Sequence, residues 1–115
     1  MPAPVHLTTP HSYSAAVVAG DCVFLGLHRG AGETFPEQLA SALSRVTDTL
    51  DTFDLPLTSL VKVTVWLLRI EDLPVMEKIF VDYFPVDRYP ARMTATTQFI
   101  DADCLVMIEG IAYRG

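Results

Sequence analysis

Two stretches of this chain are oily on both sides. Leu60 to Leu68 reads as a β-strand, with β-branched Val61, Val63, Thr64 and Val65 beside the bulky Trp66. Strand alternation sends Val61, Val63, Val65 and Leu67 to one face, yet Thr64, Trp66 and Leu68 on the opposite face are nearly as apolar. The stretch Cys104 to Tyr113 repeats the pattern, with Val106, Ile108 and Ala112 facing one way and Leu105, Met107, Ile111 and Tyr113 the other. Both faces of a sheet built from such strands require burial. The rest of the chain supplies only two helices, and the face they leave bare would be a larger apolar patch than monomers ordinarily expose. Self-association into a closed homo-oligomer is the simplest solution. A mean hydropathy of +0.33, high for a small domain, points the same way.

The other segments complete one layered domain over residues 1–115, with no internal repeat or low-complexity stretch. Ser14 to Val18 and Cys22 to Leu25 are short β-prone runs joined by Ala19-Gly20-Asp21, a hairpin sequence. Leu27 to Thr34 reads as a loop, and its Gly-Ala-Gly is too short for a dinucleotide fingerprint. Leu39, Leu43, Val46, Leu50 and Phe53 recur at helical spacing, so a helix is expected over Phe35 to Phe53, opened by a Thr34/Glu37 capping box. Leu55-Pro56-Leu57 stops it. Asp72 is placed to cap a second helix whose apolar face is Leu73, Met76, Ile79, Phe80 and Tyr83, with Pro74 in its first turn. Pro85 to Pro90 ends that helix, and Met93 to Phe99 with Cys104 to Tyr113 then reads as a strand pair around an Asp-rich turn. The order is ββαβαββ, an α+β layout with two helices on one face of a mixed sheet.

Charge and composition exclude several functions. Fourteen acidic against eight basic residues give a formal charge of -6, with no stripe of lysine or arginine to neutralise phosphates, so nucleic acid is a poor partner. No apolar run is long enough to span a bilayer. Met1 to Ser12 shows neither a basic cluster nor an apolar core of a secretory signal, and a cytoplasmic address is the expectation. Cys22 and Cys104 are read as buried, inert thiols. His6, His11 and His28 lack the spacing of a metal site, and Ser12 or Ser14 beside His11 does not make a nucleophilic triad, so neither a metal nor a serine nucleophile is expected.

Glu109 lies mid-strand among greasy neighbours, and a carboxylate there needs a cationic or hydrogen-bonding partner. Arg92 is the best candidate, at the entry to another strand and stiffened by Pro90. The two either form a structural ion pair or face a cleft in which Arg92 grips a ligand's carboxylate; Tyr13 could lend such a cleft a hydroxyl.

Tyr13-Ser14-Ala15-Ala16-Val17 with Ala19-Gly20 and Val23-Phe24, then Val61-Lys62-Val63-Thr64-Val65, Pro90-Ala91-Arg92 and Ile108-Glu109-Gly110-Ile111-Ala112 resemble the YjgF/RidA family of reactive-imine deaminases. The resemblance spans Tyr13 to Tyr113. It implies a chorismate-mutase-like α+β fold, a homotrimer, and sites in clefts between subunits. By position it implies that Arg92 binds the substrate carboxylate, that Glu109 orients or activates a water, that Tyr13 lines the pocket and that Gly26 brings backbone close to the ligand. Leu25-Gly26-Leu27-His28 stands where typical members have Ser-Gly followed by Gln, and Thr94 stands where they often have Cys. Leu25, Thr94 and His28 therefore alter the pocket's polarity, with His28 either a substitute polar group or a solvated loop histidine. The loop after Leu27 is also shorter than usual in that family.

The implied reaction is hydrolysis of a 2-imino acid to a 2-keto acid and ammonia, without cofactor. The alternative is a trimer that binds a carboxylate metabolite without turnover. Ribonuclease activity, sometimes attached to the family, sits least well with the acidic balance.

Overall fold

The computed structural model describes residues 3–115. Six strands, β1 (Val5–Thr8), β2 (Ser14–Ala19), β3 (Cys22–Arg29), β4 (Leu60–Leu67), β5 (Ala91–Thr96) and β6 (Val106–Tyr113), form one sheet in the order β1-β2-β3-β6-β4-β5. Helices α1 (Phe35–Asp51) and α2 (Leu73–Phe80) link β3 to β4 and β4 to β5. β3, β4 and β5 run parallel, because β6 lies antiparallel between β3 and β4 while β4 and β5 pair directly. Both crossovers advance across the sheet in the same direction, and crossovers of one hand then deposit their helices on the same face.

Local chemistry explains the elements. In α1 the Thr34 hydroxyl accepts the Glu37 N–H, and the Glu37 carboxylate accepts the Thr34 N–H, so the capping box is present. Ala19 pairs with Cys22 across Gly20-Asp21, and the positive φ of 59° falls on Gly20, as a two-residue hairpin with glycine first demands. Phe35, Leu39, Leu43, Val46 and Leu50 of α1 and Met76 and Phe80 of α2 bury against Val23, Leu25, Val63, Val65, Leu67, Val106 and Ile108.

Four expectations are corrected. An additional strand, β1, precedes the hairpin and pairs with β2. The last two strands are not a hairpin: β5 pairs with β4 at the sheet edge, while the strongly apolar β6 takes the centre, where both its edges find partners. β3 continues through His28 and Arg29, past a register shift between Leu25 and His28, so the loop begins later than Leu27. Asp72 makes no capping hydrogen bond. It is held in helical backbone conformation by the short turn Ile70–Asp72, and Pro74, at the second helical position, has no N–H to offer it.

The two-faced character of the strands is visible in space. Val63, Val65 and Leu67 are buried beneath the helices, whereas Phe24 and Met93 remain about half exposed (45% and 50%) on the opposite face. Trp66, Met107 and Ile111 are only part-buried there. The molecule is 20 Å through its thinnest axis, the depth of one helix layer on one sheet layer. A single copy covers this sheet once.

Two polar or small residues join the helix layer to the sheet. Gln38 is fully buried: its Nε2 donates to the Gly32 and Asp103 carbonyls at 3.1 and 2.8 Å, and its Oε1 accepts the Leu105 N–H at 2.8 Å. At Gly30, a Cβ would lie 2.1 Å from the Gln38 carbonyl oxygen. Gly30→Ala is accordingly expected to cost at least about 2 kcal/mol, a drop in melting temperature of roughly 10 °C. Gln38→Leu, which strands a buried N–H and two carbonyls, should cost about as much. Thermal melts of both variants against the parent check this.

Candidate functional site

The expected site residues fall in three separate places. Arg92 sits on β5 opposite Val63, hence on the helix-covered face, and Glu109 sits on β6 opposite Thr64, on the open face. Within one copy they do not meet, so an Arg92–Glu109 ion pair is excluded inside the chain by strand alternation.

Arg92 instead pairs with Glu77 of α2, and its guanidinium lies over the Phe80 ring, 5.6 Å from the centroid. Phe80 is buried and stacked on Phe84, so the platform under the cation is rigid. These residues line a cleft of about 270 Å³ with Val81, Tyr89 and Pro90. The Arg92 and Glu77 side chains keep 28% and 48% exposure, and a pair so wetted contributes only about 0 to 1 kcal/mol. It opens readily. Thr94 follows on the same strand face, and its hydroxyl is buried without a hydrogen-bond partner.

Glu109 borders a smaller depression of about 170 Å³ with Phe24, Lys62, Thr64 and Ile111. The Trp66 Nε1–H points to its Oε1 at 3.5 Å, the limit of a hydrogen bond. Leu25 reaches this depression only at its edge, since its side chain is in the core.

Tyr13 lines a cavity of about 530 Å³, where β3 runs on past the start of β2. Its ring stacks on His11, with centroids 5.7 Å apart. Leu27, Arg29 and Met107 from the sheet and Arg45, Asp48 and Thr49 from α1 form the other walls. Arg29 is held by Asp101 at 2.5 Å and Asp103 at 3.0 Å, which is what the Asp-rich turn does. The hydrogen bond from Arg29 holds the Asp103 carboxyl below its ordinary range. Gly26 marks the bulge of β3: a Cβ there would stand 3.2 Å from the Ser14 carbonyl oxygen.

His28 is neither solvated nor in a loop. It is buried in β3, with Nδ1 2.6 Å from the Gly26 carbonyl and Nε2 2.8 Å from the Thr49 hydroxyl. A carbonyl only accepts, so Nδ1 carries the proton and the neutral ring accepts from Thr49 through Nε2. Burial lowers its pKa, with the Arg45 charge assisting and the Gly26 bond opposing. Both ring nitrogens are used, and His28 braces the cavity wall. Cys104 is buried and its thiol pKa is raised by that burial, in keeping with an inert role, while Cys22 is only half-buried.

Comparison with known proteins places this arrangement. Residues 4–114 match the family model described as Endoribonuclease L-PSP. The chain belongs to the YjgF/RidA family. A RutC family protein of Pyrococcus horikoshii is 28% identical over 110 residues, 89% of this chain and 86% of that protein. Among solved structures, a YjgF family member from Neisseria meningitidis superposes with a TM-score of 0.92 at 23% identity, covering 98% of this chain and 96% of that one. A hypothetical protein of the yjgF family from Streptococcus pyogenes gives 0.89 at 26% identity, covering 98% of each chain. The α+β fold with both helices on one face of a mixed sheet is thus the fold of YjgF proteins. Among the described residues no helix is long and apolar enough to cross a membrane.

Sequence reading missed Glu77, Arg29 and Arg45. Glu77 had a signal, lying next to buried Met76 at the border of the apolar face of α2; Arg29 became visible only when β3 met the turn before β6, and Arg45 only when α1 docked on β3.

The His28 geometry carries a pH dependence. Its folded pKa lies below the unfolded value of about 6.5, so its contribution is fully present above that pH and is lost as pH falls toward the folded pKa. The melting temperature of the parent should fall more steeply between about pH 7 and about pH 5 than that of His28→Gln, measured by calorimetry across that range.

Proposed function

We propose that this YjgF/RidA member hydrolyses 2-imino acids to 2-keto acids, in clefts completed when copies of the chain assemble as a homotrimer through the open sheet face. The observation that carries the reading is Arg92: a guanidinium on an edge strand, seated on Phe80, in a cleft of metabolite size. A guanidinium so placed suits a small ligand's carboxylate.

The chemistry asked of the protein is modest. Water adds to the iminium carbon, the adduct loses nitrogen, and C=NH2+ plus H2O becomes C=O plus NH4+. A few hundredfold over buffer needs a barrier lowered by only about 3 to 4 kcal/mol, within reach of a carboxylate clamp and a positioned water. Because Glu109 and Arg92 occupy opposite faces of the sheet, Glu109 would act on the ligand of Arg92 only across a subunit boundary. Tyr13 would reach it in the same way, since its cavity and that of Arg92 share no lining residue. Gly26 adjoins the Tyr13 cavity as backbone, His28 as its braced wall, and Leu25 would contribute through its main chain.

One observation favours a second reading, binding without turnover: the carboxylate beside Arg92 within the chain is Glu77, not Glu109. The ribonuclease activity named in the family model's description is the weaker reading for a chain of net charge -6. No cofactor enters any of these readings, and a soluble cytoplasmic setting is part of the proposal.

Two measurements test it together. Sedimentation at micromolar concentration should give three times the chain mass, and a solely monomeric species would remove the composite cleft. Keto acid release from an enzymatically generated imino acid should be accelerated at least a hundredfold by the parent and not by Arg92→Ala, on the order of 3 kcal/mol of transition-state stabilisation. Ligand-induced stabilisation without acceleration would select the binding reading.

A further inference from the structure

The Arg92 cleft contains its own anion. Glu77 projects from α2 onto the guanidinium, and the two charges sit in contact within one small cleft walled by Phe80, Tyr89 and Pro90. A plain carboxylate entering here must compete with Glu77 for Arg92 and endure its charge. A zwitterion meets no such conflict, because its anionic end replaces Glu77 on Arg92 while its cationic nitrogen takes Glu77 as partner. The two ends of a 2-imino or 2-amino acid are separated by a single carbon, which matches an acid and a base already in contact.

We infer that Glu77 is a specificity-determining residue that selects ligands carrying a cationic nitrogen next to their carboxylate, so that the cleft prefers the iminium substrate over its keto acid product. The inference rests on the reading of Arg92 as the carboxylate clamp and deepens it. It follows from geometry and charge: the exposed Glu77 carboxylate is joined to Arg92 by a wetted pair worth little, so exchanging it for a ligand costs little, while the Phe80 ring underlies the guanidinium. After hydrolysis the nitrogen departs as ammonium, the remaining keto acid is a simple anion, and Glu77 reclaims Arg92. Product expulsion is thereby built into the same pair.

The test uses stable stand-ins: alanine for the zwitterion and pyruvate for the product-like anion, each titrated calorimetrically into the parent and into Glu77→Gln, Glu77→Ser and Arg92→Ala. The parent should bind alanine more tightly than pyruvate. In both Glu77 variants alanine affinity should fall about tenfold and pyruvate affinity rise by a similar factor, the size expected for one charge-assisted contact. Arg92→Ala should bind neither. Glu77 is solvent-facing, so both substitutions should leave the fold intact, and a melt alongside each titration verifies that. If both ligands bind through Arg92 but their ratio is unchanged in the Glu77 variants, the role of Glu77 is overturned while the clamp stands. If neither ligand binds the parent, or binding survives Arg92→Ala, the clamp itself is overturned.

Discussion

Everything in this molecule depends on β6 being paired on both edges. Val106 to Tyr113 is the strand that can least tolerate a wet edge, and placing it between β3 and β4 satisfies its backbone on both sides. The placement forces α1 to carry the chain over β6, from β3 to β4, and α2 to step on from β4 to β5. Since both steps go the same way, both helices land on one face and the other is left uncovered. The open face, the exposed edge strand bearing Arg92 and the gap beyond the start of β2 are three consequences of a single pairing choice.

Polar groups inside the helix layer make that arrangement specific. Gln38 makes three hydrogen bonds, two donated and one accepted, with backbone of the loops that follow β3 and precede β6, tying the start of α1 to the approach of β6. His28 ties the far part of α1 to the bulge of β3 through Thr49 and Gly26. Apolar packing alone would let α1 slide on a greasy sheet; two directional anchors a few turns apart fix its register. The Tyr13 cavity takes its shape from this docking, with Arg45 and Thr49 from the helix facing Leu27 and Met107 from the sheet.

The charged groups divide between a clamped turn and an exchangeable contact. Arg29 is clamped by two aspartates from the turn before β6, an arrangement that closes a loop rather than leaving a guanidinium for a ligand. Arg92 has one exposed partner and an aromatic platform beneath, an arrangement that leaves it exchangeable. The hydrolysis proposed above asks little of a protein beyond such a cation and a placed water, and the Arg92 cleft lies at the margin of the sheet, on its edge strand.

The sequence alone determined both helices, the first hairpin and the sidedness of the central strands. Helical spacing at Leu39, Leu43, Val46 and Leu50, the Thr34/Glu37 box, the Gly20 turn and the double-faced strands are local patterns, set by backbone periodicity and by which groups can reach each other within a few residues. Short motifs also carried the family. What only the tertiary structure decided was neighbourhood across long separations. The sequence could not show that β5 and β6 part company, that β1 adds to the sheet edge, that His28 is sealed in, or that Arg92 answers to Glu77 rather than Glu109. Strand order is chosen by the global competition for buried edges, and once β4 lies between β5 and β6, alternation places Arg92 and Glu109 on opposite faces whatever their charges would prefer.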